Sequence, residues 1–235
     1  MSDTLRVALV AEGPTDGIVI EAAITSIMGA VPFVLKQLQP EESASFGHLG
    51  GGWGGVYHWC RQSVARAGAL RNDPLFVMFD VLILHLDADV ADKRYADAGI
   101  EEPVRDLPCA QPCPPPEATT NRLRAVLLRW ANEAVTPPKT VLCTPSKSTE
   151  AWVLASLYPA DHVVTSGNLE SYPTPDRRLQ AKPAVGRVVT GGKKIPKSYQ
   201  QRAPEITAAW PSTRATCSEA DRFSGEFDAA RPLPL

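Results

Sequence analysis

The stretch FVMFDVLILHL, residues 76–86, is the most hydrophobic run in the chain, and no other segment constrains the fold as much. Near-continuous apolar character over this length marks a strand buried on both faces, as in a parallel sheet covered by helices. A shorter run at residues 7–10, VALV, has the same character. Both runs lead into acids. Glu12 follows the first, and Asp87 and Asp89 follow the second in LILHLDADV. In a parallel sheet the carboxyl ends of all strands lie on one edge, and ligands bind in the crevice beyond it.

The rest of the pattern fits such a sheet. Residues 5–11 read as a strand and 14–29 as a helix, opened by Pro14, which suits a first helical turn because its missing N–H has no partner there. A second strand is expected at 31–38. The glycine-rich stretch 47–55, GHLGGGWGG, is expected to hold no regular structure. A helix follows at 56–69, then the apolar strand at 76–86, then a long loop over 90–117. Residues 117–134 place Leu123, Val126, Leu127 and Trp130 on one helical face, 139–143 read as a strand, and 146–157 as a helix. This alternation predicts an α/β fold, a Rossmann-like parallel sheet flanked by helices. After Pro159 the chain turns polar and rich in Gly and Pro, with helical patterns near 198–209 and 218–230. We therefore expect a sheet domain over 1–160 and a basic, partly helical extension over 161–235 that packs on it.

Asp87 and Asp89 are two residues apart, so on an extended chain they point to the same side. If the two acid-tipped strands are neighbours, about 4.8 Å apart, Glu12 joins them. Carboxylates that close raise one another's pKa. A divalent cation removes the conflict, and clustered oxygen ligands in an open site suit Mg2+ or Mn2+. The plain alternative is three solvated acids at strand tips.

An apolar strand ending in Glu-Gly, then a helix, then a later apolar strand ending in Asp-x-Asp, resembles the signature of the Toprim family. Here the match is Glu12-Gly13 and Asp87-Ala88-Asp89, and the likeness covers about residues 5–160. Toprim domains occur in topoisomerases, bacterial primases, OLD-family nucleases and small stand-alone nucleases. The resemblance implies a Mg2+- or Mn2+-dependent phosphoryl-transfer site. Asp87 and Asp89 would hold metal, and Glu12 would ligate a metal or act as general acid or base. A topoisomerase needs a tyrosine on a separate large domain, and a primase needs a nucleotide-handling domain. Neither is found, which leaves a nuclease. The family further implies an ATPase partner and a part in phage defence.

Supporting residues come from SKSTEAW, 146–152, at the start of the helix after the fourth strand. Glu150 is a candidate fourth acid, although an acid in a first turn is also favoured by the helix dipole. Similar stand-alone Toprim-like proteins carry a comparable Glu-x-Trp. Lys147 is a candidate for neutralising a transition-state phosphate, or a solvated lysine. His85 is expected to be a buried strand histidine bonded to a carbonyl, and Asp16 a helix-start residue. GGGWGG fails the Walker pattern, since no Gly-Lys-Ser/Thr follows. It reads as a flexible loop, with Trp53 stacking on a base as the alternative.

Net charge is −2, so no global field advertises a polyanion partner. The basic residues Arg177, Arg178, Lys182, Arg187, Lys193, Lys194, Lys197 and Arg202 nevertheless fall together in 173–202 beside one acid, Asp176. Of these, Arg177, Arg178, Lys193, Lys194 and Lys197 are the expected contacts to a nucleic-acid backbone. Solvated surface is the alternative. No apolar stretch reaches the length of a membrane span, MSDTLRVAL lacks the order of a signal peptide, and the five cysteines read as reduced thiols. A cytoplasmic protein is expected. Two rival functions remain. One is a haloacid-dehalogenase-type phosphatase, with LILHLDADV as its motif and Thr144 and Lys193 as its threonine and lysine. The other is a non-catalytic Toprim-like binding or regulatory subunit. The choice between DNA and RNA stays open.

Overall fold

In the computed structural model, which describes residues 4–40 and 49–232, strands and helices alternate along the first two thirds of the chain. They are β1 (Leu5–Val10), α1 (Pro14–Met28), β2 (Phe33–Gln39), α2 (Gly52–Ala67), α3 (Leu75–Met78), β3 (Val81–His85), α4 (Glu117–Trp130), β4 (Thr140–Cys143) and α5 (Thr149–Leu157). The four strands form one parallel sheet in the order β2-β1-β3-β4, so the two apolar runs are central neighbours. Val10 pairs with Leu84, and His85 with Cys143.

Alternate side chains of the central strands feed two apolar layers. Val7, Leu9, Ile83 and Val141 meet α1, α5 and the C-terminal helices, while Ala8, Val10, Leu82, Leu84 and Leu142 meet α2 and α4. The fold is thus an α/β parallel sheet covered on both faces. At Gly17, where α1 crosses the sheet, a methyl group would meet the end of the Gln37 side chain of β2 and push it aside.

The C-terminal segment holds α6 (His162–Thr165), α7 (Pro175–Gln180), a two-stranded hairpin of β5 (Val189–Thr190) and β6 (Lys193–Lys194), and the helices α8 (Pro196–Thr216) and α9 (Ser218–Ala230). It helps to build the core of the sheet layer: Trp210 of α8 and Phe223 of α9 lie 5.4 and 5.9 Å from Trp152 of α5, centroid to centroid. One buried cluster runs from Leu5 to Phe227. Arg124 of α4 ties the other layer to this segment, donating to the Leu142 carbonyl at 2.6 Å and to the Glu226 carboxylate.

Several expectations need correction. Residues 76–86 are not one strand. Residues 75–78 form a helical turn started by Asp73, whose carboxylate accepts the Leu75 N–H at 2.9 Å. Asp80 then pairs with Arg6 before β3 begins. Val77 and Met78 are exposed, so the apolar run overstates the core. The glycine-rich stretch is helical from Gly52 on, and residues 47–48 lie outside the described residues. Trp53 stacks on Trp130 at 6.2 Å rather than standing free. The helix expected at 198–209 is longer at both ends: Pro196 occupies its first turn, and it continues through Pro204 and Pro211. Among the described residues no helix is long and apolar enough to cross a membrane.

Candidate metal centre

The tips of β1 and β3 bring Glu12 and Asp87 together. The Asp87 N–H donates to Glu12 Oε1 at 2.7 Å. Asp87 is held from two further sides. Its Oδ1 accepts the Thr149 N–H, from the first turn of α5, at 3.0 Å, and faces His85 Nε2 at 3.1 Å. A helix N-terminus suits this carboxylate, because its first N–H groups have no intrahelical partner. The loop before α5 is laced to the strand tip: the Pro145 and Lys147 carbonyls accept the Ala88 and Asp89 N–H groups at 3.1 and 2.9 Å. Lys147 takes a left-handed backbone conformation there, with φ of 62°. Its side chain is half-buried and has no bonded partner among the described residues.

Glu12, His85 and Asp87 each offer a ligand atom within 4.8 Å of the others. Glu12 Oε2 and Asp87 Oδ2 accept no hydrogen bond from another described residue. Burial, and after it the charge of Asp87, push the Glu12 carboxyl well above the usual range. Burial and the charge of Asp16 raise Asp87, against the pull of His85. The histidine is fully buried, and its Nδ1 has no partner among the described residues. Desolvation works against its charge, but Asp87 outweighs it and raises the imidazole pKa. His85 is thus bonded to a carboxylate rather than to the expected carbonyl, in the manner of a group that orients a ligand.

Asp89 does not converge on Asp87 as strand alternation predicts. Extended structure ends at His85, and Ala88–Asp92 forms a 3-10 turn that carries Asp89 to an exposed position. It stays within electrostatic reach: desolvation and the charge of Asp87 push its carboxyl up to about 6.

A second acidic pair, Asp16 and Glu150, lies buried beside the first, and Lys194 bridges it. The lysine Nζ is 3.3 Å from Asp16 Oδ1 and 2.9 Å from Glu150 Oε1. Thr149 Oγ1 donates to Asp16 Oδ1 at 2.6 Å, and the Tyr199 hydroxyl donates to Glu150 Oε1 at 2.8 Å. Burial opposes the charge of Asp16, but His85 and Lys194 outweigh it and hold its pKa below the usual carboxylate value. Desolvation likewise opposes the charge of Lys194, and Glu150, Asp16 and Asp87 together hold its pKa above the lysine range. Comparison with protein-family models, with curated proteins and with solved structures gives no match.

Of the residues nominated from the sequence, the structure gathers Glu12, Asp87, Glu150 and Lys194 in one cluster, with Asp89 exposed beside it. Lys194 is only partly exposed, and its ammonium is paired with Asp16 and Glu150. Arg178 bonds Asp161 at 2.9 Å. Arg177, Lys193 and Lys197 are exposed, with no bonded partner among the described residues. The phosphatase assignment is not assembled: Thr144 is buried with its hydroxyl 3.5 Å from Arg124 Nη1, and Lys193 is exposed. Sequence reasoning read Asp16 as a helix-start residue, which it is, without placing it against Lys194, and it passed over Thr149 and Tyr199. Asp16 stands four residues past Glu12 in a helix that starts at the sheet's ligand edge, and that was a usable signal. Tyr199 offered none, being 49 residues from its partner Glu150.

Proposed function

We propose that the chain is a Mg2+- or Mn2+-dependent nuclease built on a Toprim-like core. The observation that carries this reading is the meeting of Glu12 and Asp87 at the tips of two neighbouring central strands, with carboxylate oxygens that no described residue satisfies. Glu12 and Asp87 would hold the ion, with Asp89 beside them. All three offer hard oxygen donors, which fit Mg2+ and Mn2+. Such an ion, when bound, polarises a phosphodiester and lowers the pKa of an attacking water. The chain's own residues prepare the place for it. His85 and the Thr149 N–H fix the rotamer of Asp87, and the Asp87 N–H fixes Glu12. Arg177, Lys193 and Lys197 stand free to meet a phosphate backbone, whose charge dominates non-specific affinity. A cytoplasmic setting, an ATPase partner and a role in phage defence belong to the same proposal through the Toprim resemblance.

One observation favours the non-catalytic alternative. Lys194 already pairs with two of the acids, Asp16 and Glu150, and so supplies a cation of the protein's own beside the proposed metal site. Cleavage of plasmid DNA, single-stranded DNA and tRNA by the purified protein, with Mg2+, with Mn2+ and with EDTA, separates the two readings. Cutting that needs the metal and is lost in Asp87→Ala is the expected result. Metal binding without turnover on any of the three would replace the nuclease with a binding module.

A further inference from the structure

Lys194 reaches the cluster on a device made for delivery. The β5–β6 hairpin turns through Gly191 and Gly192, whose φ values of 58° and 74° suit the two-residue turn that needs positive φ at both positions. On the far side the Ile195 N–H donates to the Val188 carbonyl at 2.9 Å, and α8 starts at once. The lysine is thus rooted between a closed hairpin and a 21-residue helix, which also supplies Tyr199 to the same glutamate.

Asp16 and Glu150 are 2% and 1% exposed, and two carboxylates buried this far stay ionised together only with a cation between them. We propose that Lys194 is that cation permanently: its ammonium stands where a second divalent ion would bridge Asp16 and Glu150, so the centre takes one ion, at Glu12 and Asp87, instead of two. This rests on the reading of Glu12 and Asp87 as metal-holding residues. Nζ lies 3.3 and 2.9 Å from one oxygen of each closed acid. A Mg2+ ion bound to those oxygens at about 2.0–2.1 Å would overlap the ammonium. The remaining positions around the two oxygens go to the Thr149 and Tyr199 hydroxyls, which an ammonium tolerates as fellow donors and a metal ion would have to displace.

The test is the number of Mn2+ ions bound per full-length chain, read by isothermal titration calorimetry and native mass spectrometry, with EPR at saturation. Wild type and Lys194→Arg are expected to bind one ion and show an uncoupled Mn2+ spectrum. Lys194→Met is expected to bind two, with the broadening of a close spin pair. If removing the lysine unfolds the chain in EDTA, Mn2+ is expected to refold it. Two ions in wild type, one ion in a folded Lys194→Met, or an unfolded Lys194→Met that Mn2+ does not refold would each overturn the proposal and leave the Glu12–Asp87 centre standing. No ion in wild type would remove that centre, and this inference with it.

Discussion

Two pairs of carboxylates lie side by side at the strand tips and are treated in opposite ways. Asp16 and Glu150 share a lysine, and each accepts a hydroxyl as well. Glu12 and Asp87 are given one another, a histidine and two backbone N–H groups, but no lysine or arginine. Burial does not explain the contrast, because Asp16, Glu150 and Asp87 are all buried. What differs is the partners, and the acids respond: Asp16 is held below its ordinary pKa while Glu12 and Asp87 are pushed above theirs. On the proposed reading, the pair that the protein leaves without a lysine or arginine is the one that takes a cation from outside. Perturbed groups of this kind gather at functional sites.

The largest effects should come from the open pair and should fall on activity alone. Asp87→Asn is expected to lower metal-dependent cleavage by at least about 10²–10³-fold, the scale of losing one preorganised electrostatic contact to a transition state. In EDTA the same variant should melt no lower than wild type, since it relieves the repulsion with Glu12. A variant that loses stability along with activity would erase the contrast between the pairs. The closed pair should behave in reverse. Glu150→Gln leaves Lys194 with Asp16 alone. It is expected to cost about 2–3 kcal/mol in urea denaturation, less than the roughly 3–5 kcal/mol of a fully buried pair, because a third of the lysine side chain is exposed. Wild-type stability in that variant would mean that Lys194 is not what closes the pair.

The open pair was far more legible in the sequence than the closed one. Glu12 and Asp87 each stand just past an apolar strand, and strand tips of a parallel sheet meet on one edge whatever the loops do. The same logic failed for Asp89, because strand periodicity was carried two residues into a 3-10 turn. It failed for residues 76–79, because the buried Asp73 starts a helical turn that an apolar count cannot see. Lys194 reads in the sequence as one of a run of surface cations. Only the closing of the β5–β6 hairpin puts it 178 residues away against Asp16. Arg178 and Lys182 are absorbed by Asp161 in the same way. Composition counts charges, but which of them are already paired is a property of the fold.

Asp161 offers a calibration for the closed state away from the cluster. Its buried carboxylate accepts the Val163 N–H at 2.9 Å and pairs with Arg178 and Lys182. These contacts outweigh its burial and lower its pKa to about 2. A carboxylate depressed in the folded state stabilises the protein fully above its unfolded pKa, and that contribution is lost as pH falls through the folded value. Asp161→Asn is therefore expected to cost about 1–2 kcal/mol at neutral pH. The gap to wild type should close between about pH 4 and pH 2. Thermal melts of both proteins across that range check it, and a gap that persists at pH 2 would assign the loss to packing instead of charge.

The smallest effect separates two adjacent residues. Lys193 and Lys194 are neighbours in β6, yet one is exposed and the other enters the cluster. Lys193→Ala should change stability by no more than about 0.5 kcal/mol, as for other surface substitutions without a buried partner. Its effect should appear only against nucleic acid. If Lys193 and Lys197 each neutralise a phosphate, removing both should flatten the slope of log affinity against log salt by about 1.4–1.8, at about 0.7–0.9 for each contact. Fluorescence anisotropy with a labelled oligonucleotide between about 50 and 200 mM salt covers the useful range. A flatter slope at unchanged melting temperature would make the exposed lysines the substrate-facing part of the basic stretch. An unchanged slope would leave them as solvated surface, and binding would then have to come from Arg177 or from the cluster itself.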